Sequence, residues 1–141
     1  VTVPVTEIDL AANAMLEHVR FQDETDEAYH LGNLAVRQAA GSNYQSCVAN
    51  FGAKVFRNDL NVSLEGSRTE TRLDGVNVGT GSQTHDNHTR IDHAQPDCNS
   101  FEAYKYVLRD QSQGVFNGKI FVYQDAQRTD AKQTNQAMLL S

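Results

Sequence analysis

Short segments in which apolar and polar residues alternate fill most of the chain. The alternation is strict from Leu60 to Leu64, which places Leu60, Val62 and Leu64 on one face of a β-strand. Similar segments rich in Val, Leu, Phe and Tyr recur from Tyr29 onward, and glycines punctuate them at Gly41, Gly52 and Gly66. The pattern predicts about ten strands and no long helix. These strands cover residues 31–38, 43–51, 54–56, 59–64, 68–74, 76–79, 84–94, 101–109, 115–123 and 136–140.

The first part of the chain has a less regular pattern. Residues 14–21 fit helical spacing through Met15 and Val19, but they also fit a strand. We favour the strand because Val19 and Phe21 lie at its end and an acidic turn follows. The predicted organisation is a lead-in segment over residues 1–28 and a β-strand core over residues 29–141.

A series of strands without helices is typical of a sandwich, a barrel or a solenoid. Asn117-Gly118 is the one Asn-Gly pair in the chain, and other two-residue hairpin turns are scarce. This scarcity favours coiled parallel strands over hairpins. We expect Gly114 and Gly118 to form backbone turns, and the polar residues 124–136 to form a long turn.

Composition and charge exclude several classes of partner. The formal net charge is −6 and no two Lys or Arg residues are adjacent, so the chain lacks the basic patch of a nucleic-acid-binding protein. The same charge disfavours an anionic membrane surface. Because no secretory signal pattern is present and Cys47 and Cys98 are predicted to be reduced thiols, we expect a cytoplasmic protein, or a plastid stromal one in a photosynthetic eukaryote.

One local group of residues has the chemistry of metal ligands. His85, His88 and His93 lie on one predicted strand, and Cys98 follows five residues later. The even separation of His85 and His93 puts them on one face, with His88 on the other. Imidazole and thiolate groups bind iron or zinc, so these four residues are the candidate metal ligands. The alternative is a polar strand on which His93 forms a hydrogen bond at a corner.

A second group of residues resembles a catalytic carboxylate with amide neighbours. Thr129 and Asp130 are followed by Gln133 and Asn135, and glycan-cleaving enzymes use carboxylates in this way. The favoured interpretation is structural, because Asp and Thr in a polar segment commonly bond the backbone of turns. Asn and Gln side chains also stack into ladders between neighbouring coils.

Several motifs in the second half follow one another at fixed spacing. They include His93-Ala94-Gln95-Pro96, Lys105-Tyr106-Val107-Leu108, Gly114-Val115-Phe116-Asn117-Gly118-Lys119-Ile120, residues 126–135, and Met138-Leu139-Leu140-Ser141. The series resembles the SufB/SufD family of the SUF iron–sulfur cluster assembly system. The Gly-Val-Phe and Thr-Asp-Ala-x-Gln-x-Asn forms are similar to its SufD branch.

The resemblance implies an all-β, right-handed parallel β-helix. It also implies a scaffold subunit with no enzymatic activity, which works with a SufB-like subunit and the ATPase SufC in a complex that builds an iron–sulfur cluster. Family members continue past Leu-Leu-Ser with an acidic strand, a Cys/His motif and a helical segment that contacts the ATPase. We therefore expect a part of a longer protein, truncated at its C-terminal end, with no cluster bound by these residues.

Two further expectations follow from this assignment. The apolar segment 137–140 would lie at an open edge of the β-helix, so we expect the chain to self-associate through it. The alternative function is that of a β-helix carbohydrate-active enzyme, a polysaccharide lyase or hydrolase. Such enzymes have aromatic-lined grooves, whereas aromatic residues make up only 8% of this chain and Trp is absent.

Overall fold

The chain forms two parallel β-sheets, each with five strands. A computed structural model describes residues 1–140. No helical segment with the length and apolar character of a membrane span occurs among them. The strands are β1 (Val5–Leu10), β2 (Met15–Gln22), β3 (Tyr29–Gln38), β4 (Asn43–Asn50), β5 (Val55–Leu64), β6 (Glu70–Gly79), β7 (Thr84–His93), β8 (Asn99–Arg109), β9 (Gln113–Val122) and β10 (Asp130–Leu140).

Consecutive strands belong to opposite sheets, so the backbone winds as a solenoid. One sheet has the order β1-β3-β5-β7-β9 and the other β10-β8-β6-β4-β2. Every pair of neighbouring strands is parallel, and Val55 lies opposite Thr84, which lies opposite Gln113. Each coil therefore repeats after 29 residues in this part of the chain. The prediction of an all-β parallel β-helix is confirmed.

Residues inside the coils stack on the equivalent residues of the coils above and below. Leu60, Val62 and Leu64 all face inward and are at most 1% exposed, as the alternation predicted. Val62 lies between Val36 of β3 and Ile91 of β7 in the sheet register. β-branched side chains suit this position because they pack well on a pleated surface. The stacked aliphatic residues form the centre of the core.

The solenoid begins earlier than the sequence pattern indicated. β2 confirms the strand predicted for residues 14–21, and it pairs with β4, while β1 pairs with β3. Both strands lie within the segment 1–28 that was predicted to be a lead-in, so the solenoid starts at Val5. The alternation of apolar and polar residues is weak in β2, because His18 and Arg20 occupy inward positions.

Some predicted boundaries and turns are wrong. β5 and β6 are each continuous where two short strands were expected, because the polar Asn58 and the side-chain-free Gly75 occupy inward positions and interrupt the apolar pattern without ending the strand. β10 begins at Asp130, inside the predicted long turn 124–136. Its backbone pairs with β8 along its whole length. The regular backbone hydrogen bonds therefore hold residues 130–136 in a strand although many of their side chains are polar.

Gly114 and Gly118 lie within β9 and form no turn. A Cβ atom at Gly114 would lie 2.5 Å from Cδ1 of Tyr106, so glycine is required there for close packing. Gly41, Gly52 and Gly66 do lie between strands, as predicted. A Cβ at Gly52 would meet the backbone of Glu24 in the turn of the preceding coil. Glycine in a turn therefore allows successive turns to stack closely.

Candidate functional site: the polar interior of the solenoid

The histidines predicted as metal ligands point in two directions. His85 and His93 face the interior of the solenoid and are fully buried. His88 faces outward, where its Nε2 lies 2.8 Å from Oδ1 of Asp86. The predicted division of the three histidines between two faces of the strand is therefore found. The sheet therefore separates His88 from His85 and His93.

Each buried histidine has one hydrogen-bond partner. Nε2 of His85 donates to the carbonyl oxygen of Gly52 at 3.0 Å, and Nε2 of His93 lies 2.9 Å from Oγ of Ser100. Burial lowers the pKa of both imidazoles, because a charged ring would lose its hydration. Both rings are thus held neutral near pH 7, and the corner hydrogen bond suggested for His93 is present.

Cys98 bonds backbone carbonyl groups and none of the three histidines. It precedes β8 in the turn after β7, is fully buried, and its Sγ donates to the carbonyl oxygen of Gly66 at 3.3 Å. Over residues 1–140, no group of three His, Cys, Asp or Glu side chains is placed to hold a metal ion. A metal role for His85, His88, His93 and Cys98 stays a prediction that these contacts do not support.

A ladder of amide side chains crosses the interior from one sheet to the other. Nδ2 of Asn50 donates to Oδ1 of Asn77 at 2.7 Å, and Nδ2 of Asn87 donates to the same oxygen at 3.0 Å. Asn87 also lies 3.0 Å from Oη of Tyr106, whose hydroxyl donates to the carbonyl oxygen of Val115. The ladder joins three successive coils. Sequence reasoning missed it, although Asn50, Asn77 and Tyr106 are spaced by about one coil and this spacing is the available signal.

Glu102 is a buried carboxyl group that sequence reasoning also missed. It faces inward from β8 and is fully buried, and neither carboxyl oxygen has a hydrogen-bond partner within the usual distance among residues 1–140. Burial raises the pKa of this carboxyl, and the hydroxyl of Thr89 opposes the rise. Tyr104, the next inward residue, has its pKa raised by burial and by the nearby Glu102. The interior thus favours the neutral forms of both groups.

The residues considered as a catalytic group lie in or next to β10, the last strand that the structure describes. Asp130 is the first residue of β10 and is exposed, opposite Asn99 in the register. Gln133 and Asn135 are exposed as well. Thr134 donates from Oγ1 to the carbonyl oxygen of Glu102 at 3.3 Å. Asp130 therefore belongs to a strand at the edge of the sheet, and it is not a turn former as expected.

The fold and the site define a parallel β-helix whose interior mixes an aliphatic core with buried neutral polar groups. The family model described as the SufBD core domain of SUF system iron–sulfur cluster assembly matches residues 1–141. The chain belongs to this family.

Curated relatives agree with this assignment. The chain is 32% identical over 137 residues to an iron–sulfur cluster assembly SufBD family protein of Synechocystis, covering 97% of the chain and 30% of the relative. It is 29% identical over 133 residues to the iron–sulfur cluster assembly protein SufD of Escherichia coli, covering 94% and 31%. It is 33% identical over 140 residues to the chloroplastic protein ABCI7 of Arabidopsis thaliana, covering 99% and 30%. The chain thus spans less than a third of the length of these relatives.

Proposed function

We propose that this chain is the structural core of a SufD-like subunit in iron–sulfur cluster assembly. The observation that carries the proposal is the family match over the whole chain together with the similarity to a protein named SufD. In this proposal the β-helix catalyses no reaction itself. It is a rigid support in the cytoplasm or the plastid stroma, and the iron–sulfur cluster is cargo of the whole complex.

The proposed partners are a SufB-like subunit and a SufC-like ATPase. Among residues 1–140, β9 and β10 each pair with another described strand on one side, and this edge is the proposed place of contact with a protein partner. Strands with an unpaired edge bind further strands through their backbone N–H and C=O groups. Met138 and Leu139 are exposed next to this edge, with 60% and 76% of their surface accessible. We expect the SufB-like subunit to cover them.

Co-purification tests the proposed complex. The full-length polypeptide, carrying an affinity tag, should retain the SufB-like and SufC-like proteins of its own organism when the three are co-expressed. Replacing Met138 and Leu139 together with Asp should release the SufB-like subunit, because charges would be buried at the proposed interface. The matched control is Val76→Asp, an exposed apolar residue in the middle of the same sheet. Equal retention by both variants would contradict an interface at β10.

The role in cluster assembly is tested separately in cells. Deleting the gene should lower the activity of enzymes that need an iron–sulfur cluster, and the wild-type gene should restore it. The isolated protein should remain colourless after anaerobic treatment with iron and sulfide, since the cluster belongs to the complex. A stable cluster that is lost in His93→Ala or Cys98→Ala would show instead that these residues bind it.

A further inference from the structure

An apolar patch lies on the outer face of the sheet that contains β2, β4, β6 and β8. Phe21 is 69% exposed and Val76 is 40% exposed. Ala49 lies between these two residues in the register, and the rings of Phe21 and Phe51 are 5.5 Å apart. The patch consists of Phe21, Ala49, Phe51, Val76, Val78 and Val107. It is therefore a continuous apolar surface that extends over successive coils.

The outer face of the other sheet is different. In its middle strands, Arg57 pairs with Asp59 and Arg90 pairs with Asp92. Both faces belong to the same coils, so the β-helix itself does not require apolar residues on an outer face. Contiguous apolar surface in water is unfavourable and marks a surface of contact. Parallel sheets in proteins are also commonly covered on both faces.

The shape of the apolar patch fits one α-helix. Its residues form two rows that run along the axis of the solenoid, since Val78 lies opposite Val107 in the register and Ala49 lies opposite Val76. Neighbouring strands are about 4.8 Å apart, and an α-helix rises about 5.4 Å per turn. A helix that lies along the rows would thus place about one apolar residue per turn over each strand, as the apolar stripe of an amphipathic helix does.

Two positive charges lie at the β8 end of the apolar patch. Lys105 is opposite Val76 in the register, and Arg109 is the last residue of β8. Both are exposed, and neither forms an ion pair with another residue of the described part of the chain. Asp110, next to Arg109, accepts a hydrogen bond from the backbone N–H of Gly81 at 3.1 Å. This end of the patch therefore favours acidic residues in whatever covers it.

Acidic residues of the same face lie away from these two cations or are already paired. Asp74 pairs with Arg72 at 2.8 Å. Asp23 is exposed and follows Phe21 beyond β2, which is three strands away from β8 in the sheet. The charge around the apolar patch is thus asymmetric. A helix bound along it should have its acidic residues over β8 and not over β2.

We propose that the apolar patch binds an amphipathic α-helix from the part of the full-length protein outside residues 1–141, with acidic residues over β8. The matched region is 30% of the length of the Synechocystis and Arabidopsis relatives, so a tethered segment is the nearest source, and tethering raises its effective concentration. A second copy fits less well, because two identical patches in contact add Lys105 and Arg109 twice without an acid. The net charge of −6 opposes an anionic membrane as the occupant.

Photo-crosslinking of the full-length protein tests this proposal. The crosslinking amino acid p-benzoylphenylalanine replaces Phe21, and mass spectrometry locates the product. We expect a crosslink within the same polypeptide, to a segment outside residues 1–141 that has apolar residues at helical spacing and Asp or Glu towards one end. Leu31 is the matched control position, because it is an exposed apolar residue on the outer face of the other sheet. A crosslink to a second copy or to another protein, or a yield no higher than at Leu31, would overturn the proposal.

Two variants test the apolar and the charged contacts separately. Val76→Asp should abolish most of the crosslink from position 21, because it places a charge within the apolar contact. Lys105→Glu should lower the yield about threefold, as expected for the loss of one exposed ion pair. Lys119→Glu is the matched control, since Lys119 is an exposed lysine on the outer face of the other sheet. An unchanged yield in Val76→Asp, or equal losses in Lys105→Glu and Lys119→Glu, would overturn the proposal.

Discussion

The middle coils and the last coil have the same alternation of inward and outward residues, yet they differ in burial. Leu60 and Ile91 in the middle coils are at most 1% exposed. Ile120 occupies the equivalent inward position in β9 but is only half-buried, and the inward Leu139 of β10 is 76% exposed. These aliphatic residues are fully buried where the neighbouring coils cover them on both sides. Burial here comes from stacking between coils, which the local sequence does not reveal.

The burial of polar inward residues also differs between the two regions. In the middle coils, Asn87 and His93 are fully buried and each has a hydrogen-bond partner inside the solenoid. In the last coil, Gln133 and Asn135 occupy inward positions and remain exposed. Buried Asn87 and His93 are therefore stabilised by other polar side chains of the interior. Variants of equivalent residues in the two regions test this difference.

The largest expected effect comes from shortening one stacked aliphatic residue in each region. Ile91→Ala should lower the free energy of unfolding by about 3 kcal/mol, because it leaves a cavity between two covering coils. Ile120→Ala, at the next position of the same stack, should cost about 1 kcal/mol since its side chain is only half-buried. Urea denaturation of both variants measures the difference. Equal losses would mean that the last coil is as well covered as the middle ones.

The sequence predicts the fold better than it predicts the boundaries. Strict alternation in segments such as 60–64 indicates strands, and the scarcity of hairpin turns points to parallel coiling. The start at Val5 and the first part of β10, residues 130–135, were missed because Arg20, Gln133 and Asn135 occupy inward positions and hide the alternation.

The candidate site was predictable only in part. Side chains alternate between the two faces of a strand, so the sequence predicts that His88 points away from His85 and His93. The asparagine ladder was not found because Asn50 and Asn77 are about one coil apart in sequence, and Glu102 was not found because its burial depends on the coils stacked around it. Recognising them requires the register between coils, and a single sequence with irregular coil lengths does not supply it.

Acidification should destabilise the middle coils through their buried histidines. The unfolded imidazoles bind protons near pH 6.5, whereas the lowered pKa of His85 and His93 keeps the folded ones neutral. Stability should therefore be complete above about pH 6.5 and fall below it, by up to about 1.4 kcal/mol per pH unit for each histidine. His93→Gln should reduce this slope in urea denaturation at several pH values. His88→Gln is the control on the outer face, and an equal reduction there would contradict the assignment.

Glu102 should give a pH dependence of the opposite sign. Its raised pKa means that the folded protein holds a proton which the unfolded chain has lost, so stability falls as the pH rises above about 4.5 and through the folded pKa. Glu102→Gln should remove this loss and raise the free energy of unfolding at pH 7 by about 1 kcal/mol. Glu17→Gln, at an exposed position of β2, should change little. A destabilised Glu102→Gln protein would indicate that the carboxylate is ionised and has a partner.

The smallest expected effect is a weak self-association through the last coil. Within residues 1–140, β8 is the one strand that pairs with β10, and Met138, Leu139 and Leu140 of β10 are all at least 45% exposed. Burying two such side chains contributes about 3–5 kcal/mol before the cost of association, so micromolar affinity is the upper limit. Light scattering over a dilution series should show a dimer that disappears in Leu139→Lys or Leu140→Lys and persists in Val76→Lys. A strict monomer at high concentration would mean that this edge does not bind a second copy, although its apolar side chains are exposed.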